Sequence, residues 1–234
     1  MVLKYIVMIV ISGASRNIGK YLFDYYKKNQ IVFGTYLTTT PQAEGKENLY
    51  KVDISDYNSV HAFFKQIEPF LSKITLINCA GISYNSFAHK SDPVEWKKVI
   101  ETNLIGTYYM IRVFLPIMRQ QNYGRIINFS SVVAQKGIPG TSAYAASKSA
   151  LWGLSKSLAQ ENGGKGVTIN NINLGYVNIG MGIEQVPEIY QNSIKSQIPT
   201  QRFCEPEDIL KTVEYIRNTS YLNGSSIDLN GALI

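Results

Sequence analysis

Tyr144 and Lys148 stand four residues apart in an Ala-, Ser- and Leu-rich segment that runs on through Ala150, Leu151, Leu154 and Leu158. On a helix both project from one face. A lysine ammonium beside a phenol favours the phenolate, which draws the tyrosine pKa from about 10 toward neutrality, where a proton is given or taken efficiently. Ser131, thirteen residues upstream, supplies a hydroxyl that can hold a substrate oxygen against that phenol. Tyr-x-x-x-Lys also describes an ordinary solvated helix pair, so the surrounding elements decide what it is.

Those elements alternate. Residues 6–11 are a continuous apolar, β-branched run of the kind a strand buried on both faces requires. The run ends in Gly13-Ala14-Ser15-Arg16-Asn17-Ile18-Gly19, after which amphipathic Tyr21, Leu22, Tyr25 and Tyr26 lead to a helix end at Lys27-Lys28-Asn29. Residues 31–36 form a second strand and complete a βαβ unit, whose right-handed crossover implies a parallel sheet. Further strands are expected at 49–53, 74–78, 125–129, 167–172 and 227–229. Helices are expected at 57–71, at 94–118 as one long region that Pro116 kinks or ends, at 142–160 and at 206–217. The stretch from 173 through Thr200 reads as irregular. About seven strands alternating with helices predict an α/β fold, a Rossmann-type doubly wound parallel sheet with helices on both faces.

A chain of 234 residues fits a single domain of this class, spanning 1–234. Its apolar fraction of 45% and charged fraction of 17% suit a globular core and argue against disorder. The formal charge of +6 comes from scattered Lys and Arg with no cluster interleaved with aromatics, so nucleic acid is not an expected partner. The charge instead favours solubility and an anionic cofactor or substrate. Cys79 and Cys204 lack metal-ligand spacing and adjoin no second Cys or His, so neither a metal site nor a disulfide scaffold is expected, as in a reducing cytoplasm. The apolar run at 5–11 is short and flows into Ser12-Gly13-Ala14-Ser15 without a cleavage pattern. Nothing approaches the roughly 20 apolar residues of a membrane helix. His61, His89, Trp96 and Trp152 read as surface or packing residues rather than catalysts.

Between a buried strand and a helix start, a tight turn on Gly13 and Gly19 lets backbone N–H groups and the helix dipole meet a pyrophosphate. Its spacing is not the common G-x-G-x-x-G. Together with later residues it resembles the short-chain dehydrogenase/reductase family, and the likeness runs from the first strand to the last residues. Ser12-Gly13-Ala14-Ser15-Arg16-Asn17-Ile18-Gly19 is similar to that family's cofactor turn T-G-x-x-x-G-I-G. Asp53 resembles the acid that meets adenine, and Asn78-Cys79-Ala80-Gly81 the N-N-A-G strand end. Asn103 matches the structural and catalytic Asn, Ser131 the catalytic Ser, and Tyr144 with Lys148 the Y-x-x-x-K. Residues 202–208 and 223–231 look like the R-F-G-x-P-E-D and T-G-Q-x-I-x-V-D-G-G segments of bacterial 3-oxoacyl-carrier-protein reductases.

The resemblance implies a role for each position. Tyr144 gives a proton to a carbonyl oxygen as hydride reaches the carbon, and Ser131 orients that oxygen. Lys148 holds the nicotinamide ribose hydroxyls and lowers the Tyr144 pKa, while Asn103 positions a water that links Lys148 to solvent. Ser130 and Ser147 are rival hydroxyls, and the spacing of Ser131 to Tyr144 is the one that matches the family. Cofactor contacts are implied at the turn for Gly13, Ser15, Arg16, Asn17, Ile18 and Gly19. Others are implied at Thr38, Asp53 and Ile54, at Asn78, Ala80 and Gly81, at Gly175 and Val177, and at Tyr144 and Lys148 themselves.

Departures from the family pattern are specific. Asn17 replaces the middle glycine of the turn, and Asn tolerates left-handed backbone better than most residues. Leu174-Gly175 stands where Pro-Gly is usual, and Ile179 falls near a Thr whose hydroxyl contacts the cofactor, with Asn178 the neighbouring polar substitute. The second strand ends Gly34-Thr35-Tyr36-Leu37-Thr38-Thr39-Thr40 with no acid to accept the ribose hydroxyls of NAD or repel a phosphate there. NADP(H) is therefore expected over NAD(H), with Arg16 as the cation for a 2′-phosphate and Thr38 or Thr39 adding hydroxyls.

The expected function is an NADP-dependent oxidoreductase that reduces a ketone to a secondary alcohol. From the resemblance, the leading substrate is a 3-oxoacyl thioester on acyl-carrier protein. The alternatives are a reductase of another ketone, sugar or secondary metabolite, and a cofactor-binding sensor or scaffold suggested by Asn17, Leu174 and Ile179. The complete set of Asn103, Ser131, Tyr144 and Lys148 favours the enzyme. Substrate choice is assigned to the loop at 83–92 and a lid at about 180–200. The helical regions 94–118 and 142–160 imply, by the same resemblance, a homotetramer or homodimer in the cytoplasm.

Overall fold

The computed structural model describes residues 7–41, 47–184 and 186–234. Ile6, the expected start of the first strand, lies outside them. The strands are β1 (Met8–Ser12), β2 (Val32–Tyr36), β3 (Leu49–Lys51), β4 (Ile74–Asn78), β5 (Gly124–Ser131), β6 (Val167–Leu174) and β7 (Ser226–Leu229). They form one sheet in the order β3-β2-β1-β4-β5-β6-β7, with every pairing parallel. The helices are α1 (Asn17–Tyr26), α2 (Tyr57–Ile67), α3 (Pro93–Ile100), α4 (Thr107–Gln120), α5 (Val133–Lys136), α6 (Ser142–Asn162), α7 (Met181–Glu184), α8 (Glu188–Gln197) and α9 (Pro206–Asn218).

Both faces of the sheet are covered because each inner strand carries apolar residues that point to both sides. Val10, Leu76, Ile126 and Ile169 pack against Val60, Phe63 and Phe64 of α2 and Met110 and Phe114 of α4. Their neighbours Ile9, Ile11, Ile77, Ile127 and Ile172 pack against Leu22 and Phe23 of α1 and Ile209 and Val213 of α9. This is the doubly wound Rossmann-type arrangement the alternation predicted. Strand order reverses between β1 and β4, which opens a crevice at the carboxyl ends of the strands.

Two elements depart from expectation. The helical region at 94–118 is interrupted, but not at Pro116, which sits inside α4 while the helix runs on to Gln120. The break is a π-helical turn at Glu101–Gly106. There Gly106 lies against Ile54, whose Cγ1 would stand 2.8 Å from any added Cβ, and Thr107 Oγ1 donates to the Asn103 carbonyl at 2.8 Å. The extra residue of a π turn displaces Asn103 from ordinary helical register, a distortion common at functional sites. The stretch after β6 is also more ordered than expected, since it holds α7 and α8.

β5 and β6 each run two residues beyond their expected ends, to Ser131 and Leu174. Polar residues hid this extension, because Asn128, Ser130, Asn171 and Asn173 break the apolar pattern although all are buried. Ser130 is satisfied by the Lys148 carbonyl and Asn173 by Asp228, while Asn128 and Asn171 belong to a row that is bonded across the sheet. Asn78, Asn128, Asn171 and Ser226 are register partners on four neighbouring strands. Asn78 Nδ2 donates to Asn128 Oδ1 at 2.8 Å, Asn128 Nδ2 to Ser155 Oγ at 3.1 Å, and Ser155 Oγ to Asn171 Oδ1 at 2.8 Å. Asn171 Nδ2 completes the row at Ser226 Oγ, 3.1 Å away. Asn128→Ala is expected to destabilise by about 2–4 kcal/mol, since it strands the Asn78 amide in the interior. Thermal unfolding then shows a midpoint lowered by roughly 5–15 °C; a midpoint within a degree of wild type would dismiss the ladder as a stability element.

Candidate active site

All strands point the same way, so the ends of β1, β4, β5 and β6 open on one edge, and a cleft of about 730 Å³ runs along it. One wall is the turn after β1. Gly13 has φ +70, and a Cβ there would come within 2.8 Å of the Ala80 Cα, so only glycine lets β1 and β4 leave the sheet side by side. A Cβ on Gly19 would collide with the Gly13 carbonyl oxygen, so α1 can start this close to the turn only without a side chain. Thr35 ties the turn down: Gly13 N donates to its Oγ1 at 3.3 Å and Ala14 N to its carbonyl at 2.7 Å. Asn17 adopts φ 53, the left-handed backbone expected where it replaces a turn glycine. No side chain caps the first N–H groups of α1, the state in which a helix N-terminus meets an anion.

The opposite wall carries the residues expected to handle the proton. β5 ends at Ser131, and α6 presents Tyr144 and Lys148 from one face, with Nζ 5.6 Å from the centroid of the phenol ring. The Ser131 hydroxyl lies beside the Tyr144 phenol and acts to lower its pKa. Ser131 Oγ also accepts from Val133 N at 3.2 Å, which fixes it at the strand end. The rival serines are engaged elsewhere. Ser130 Oγ donates to the Lys148 carbonyl at 3.0 Å, and Ser147 Oγ donates to the Tyr144 carbonyl at 2.8 Å. The Ser130 bond holds α6 against β5, whereas the Ser147 bond closes within α6 itself.

Asn103 is fully buried beneath this set. Its Oδ1 accepts from Ile82 N at 2.9 Å, and its Nδ2 donates to the Ile82 carbonyl at 2.9 Å and to Ser147 Oγ at 3.1 Å. One amide thus joins the segment after β4 to α6. Gly81 lies between Asn103 and Lys148: a Cβ there would stand 3.3 Å from Asn103 Oδ1 and 3.5 Å from Lys148 Nζ.

Electrostatics in the cleft are governed by removal from water. Burial pushes Tyr144 up to about 12, with the Ser131 hydroxyl pulling the other way. Burial lowers Lys148 to about 8, and the neighbouring Cys79 sulfur opposes that shift. The expected pull of Lys148 on the phenol toward neutrality is outweighed here. The ammonium is turned to the Phe129 carbonyl, to which Nζ donates at 2.8 Å. Tyr144 accordingly keeps its proton at neutral pH. Burial also raises the Cys79 thiol, which leaves it a poor nucleophile.

Residues 7–189 match the family model described as short chain dehydrogenase. The chain belongs to the short-chain dehydrogenase family. Proteins of this family are oxidoreductases that act between CH–OH and C=O and bind a nicotinamide dinucleotide. This dehydrogenase is 34% identical over 232 residues to an acetoacetyl-CoA reductase of Rhizobium meliloti (strain 1021), covering 95% of this chain and 96% of that one. It is 37% identical over 194 residues to an acetoacetyl-CoA reductase of Shinella zoogloeoides, covering 81% and 80%. With a 3-oxoacyl-[acyl-carrier-protein] reductase of Haemophilus influenzae it shares 30% identity over 235 residues, covering 96% of each.

Most residues expected at the dehydrogenase's cofactor site line the cleft. Ser15, Arg16, Asn17 and Ile18 do so beside Gly13 and Gly19, with Thr38, Asp53 and Ile54 on the β2–β3 side. Ala80 and Gly81 follow β4, while Gly175 and Val177 follow β6. Gly175 is required by packing, since a Cβ would come within 2.9 Å of the Asn230 Cα. Asn78 is the exception, because its side chain lies in the ladder between strands rather than in the cleft. Asn178 does not replace the hydroxyl missing at Ile179 either, since its Nδ2 turns to Glu205 Oε1 at 3.1 Å. His61 stacks on Tyr57, and His89 is exposed beside Phe87. Among the described residues no helix is long and apolar enough to cross a membrane.

Several supporting residues escaped the sequence reading. Ser12 Oγ accepts from Ala80 N at 3.2 Å, so it and Thr35 hold the turn from two strands. Trp152 does more than pack: its Nε1 lies 3.1 Å from Ser130 Oγ and 2.9 Å from Asn173 Oδ1, which fastens α6 to β5 and β6. Helical spacing offered a signal for Ser147 and Trp152, three and eight residues after Tyr144. Nothing local marked Thr35.

Proposed function

We propose that this dehydrogenase reduces the ketone of a 3-oxoacyl thioester to the 3-hydroxyacyl thioester, with NADP(H) as the preferred cofactor. One observation carries the reading: the hydroxyls of Ser131 and Tyr144 stand side by side before Lys148 at the head of a cleft whose other wall is the glycine turn. When bound, the cofactor supplies the hydride. The chain supplies everything else. Ser131 and Tyr144 converge on the carbonyl oxygen, and Tyr144 gives its proton as negative charge develops there. A phenol at about 12 is fully protonated at neutral pH, which favours reduction over alcohol oxidation. Lys148 holds the ribose hydroxyls and receives a proton readily at about 8, so it can relay one to the spent phenolate. Asn103 is a positioning residue that acts through Ile82 and Ser147.

Preference for NADP(H) rests on Arg16, exposed in the turn and lining the cleft together with Thr38 and Thr39, and on the lack of an acid at the end of β2. We further read residues 1–234 as a single Rossmann unit with a lid at about 180–200. Acyl-carrier protein as the thioester carrier, a homotetramer or homodimer, and a cytoplasmic site of action complete the proposal. The likeness to 3-oxoacyl-[acyl-carrier-protein] and acetoacetyl-CoA reductases supports a thioester substrate.

The test is a ketone panel run with NADPH and with NADH. Acetoacetyl thioesters on carrier protein and on coenzyme A are expected to lead it, well ahead of sugar or unactivated ketones, with NADPH the faster donor. Arg16→Ala should weaken NADPH binding about tenfold and leave NADH binding unchanged. Tight NADPH binding with no turnover on any ketone would overturn the enzymatic proposal, and equal loss of both cofactors in Arg16→Ala would remove its NADP component.

A further inference from the structure

Asn17 lies between the glycine turn and the segment after β6, and its side chain does something a turn glycine cannot. It rests directly on Gly180: a Cβ built there would come within 2.6 Å of Asn17 Cγ and Nδ2 and 2.8 Å of its Cβ. Gly180 has φ +68, and its carbonyl accepts from Ile183 N and Glu184 N at 2.9 and 2.8 Å, so it is the residue from which α7 starts. The turn and the lid therefore touch through one carboxamide, at a point where only glycine on the lid side leaves room for it. That carboxamide makes no hydrogen bond among the described residues, although Asn17 lines the cleft. With no partner fixing either face, rotation about its terminal bond can turn Nδ2 toward a ligand. The neighbouring lid side chain in the cleft, Ile179, offers no donor, and Asn178 is spent on Glu205.

Resting on the proposed dinucleotide site, we infer that the Asn17 carboxamide is itself a diphosphate ligand, donating through Nδ2 to the cofactor while its stem supports the start of the lid at Gly180. It thereby supplies from the turn the side-chain donor that the lid lacks. A left-handed Asn costs more than glycine at φ 53, so a residue kept only for the turn would gain by becoming glycine.

Asn17→Gly tests this cleanly, because glycine adopts the same backbone without strain and removes only the side chain. Dissociation constants for NADPH, and for 2′-AMP as a ligand without a diphosphate, are measured by isothermal titration calorimetry on wild type, Asn17→Gly and Asn17→Asp, alongside melting temperatures. NADPH affinity is expected to fall about tenfold in Asn17→Gly and further in Asn17→Asp, where a carboxylate faces the phosphates, while 2′-AMP affinity and the melting temperature of Asn17→Gly hold. Unchanged or tighter NADPH binding by Asn17→Gly overturns the assignment and leaves Asn17 as packing for Gly180. Parallel loss of 2′-AMP binding also overturns it, since the side chain would then act on the whole cleft. Failure of wild type to bind NADPH or NADH at all refutes the dinucleotide site itself, a separate result from any difference between variants.

Discussion

Tyr144→Phe is expected to lower kcat for ketone reduction by about 10³-fold, roughly 4 kcal/mol of transition-state stabilisation, while the NADPH dissociation constant stays within about twofold. Phenylalanine keeps the ring that α6 places 5.6 Å from Lys148 Nζ and removes only the hydroxyl that lies beside Ser131. That hydroxyl is the acid. Ser131 can still hydrogen-bond the substrate oxygen, but a serine hydroxyl is far too weak an acid to complete the transfer. The pH dependence should follow the same group. With Tyr144 at about 12, loss of its proton cannot slow reduction between pH 7 and 9, whereas oxidation of the alcohol, which needs the phenolate, should accelerate as pH rises. Steady-state rates in both directions across this range check the assignment. Activity above a tenth of wild type in Tyr144→Phe would mean that another group delivers the proton.

Lys148→Met should cost catalysis at least about a hundredfold and yet make the folded protein more stable at neutral pH. The reason is the site's own electrostatics. Lys148 is buried and its pKa falls from 10.5 to about 8, which corresponds to about 3 kcal/mol of penalty for holding the charge in the fold. Because the folded pKa lies below the unfolded one, the unfolded chain binds more protons between pH 8 and 10.5, so this contribution to stability improves as pH rises through that window and is at its worst below it. Methionine avoids the penalty but leaves the Phe129 carbonyl without its donor, at about 1–2 kcal/mol. The net gain at pH 7 is about 1 kcal/mol, or 2–4 °C in melting temperature for a chain of this size. Above pH 10 the advantage should disappear. Melting curves for wild type and Lys148→Met at pH 7 and pH 10 decide the matter: a variant less stable than wild type at pH 7 would show that Lys148 is not held at a penalty.

By itself the sequence determined the alternation of buried strands and amphipathic helices, because runs such as Ile9 to Ile11 and Leu76 to Ile77 are apolar on both strand faces and only a doubly covered sheet accommodates that. It also determined the turn and the one-face placement of Tyr144 and Lys148, since local spacing on a helix is a local fact. Three things needed the tertiary structure. The polar ends of β5 and β6 read as strand breaks until Ser130 and Asn173 are seen to be satisfied by the Lys148 carbonyl, Trp152 and Asp228, all distant in the chain. Spacing to Tyr144 already singled out Ser131, but that the Ser130 and Ser147 hydroxyls are taken by the backbone of α6 shows only in the fold, where those partners lie up to eighteen residues away. The proton state of the pair was beyond sequence reading altogether. Spacing says that an ammonium lies near a phenol, but whether attraction between them or loss of water prevails depends on burial, and burial is decided by everything the chain packs around α6.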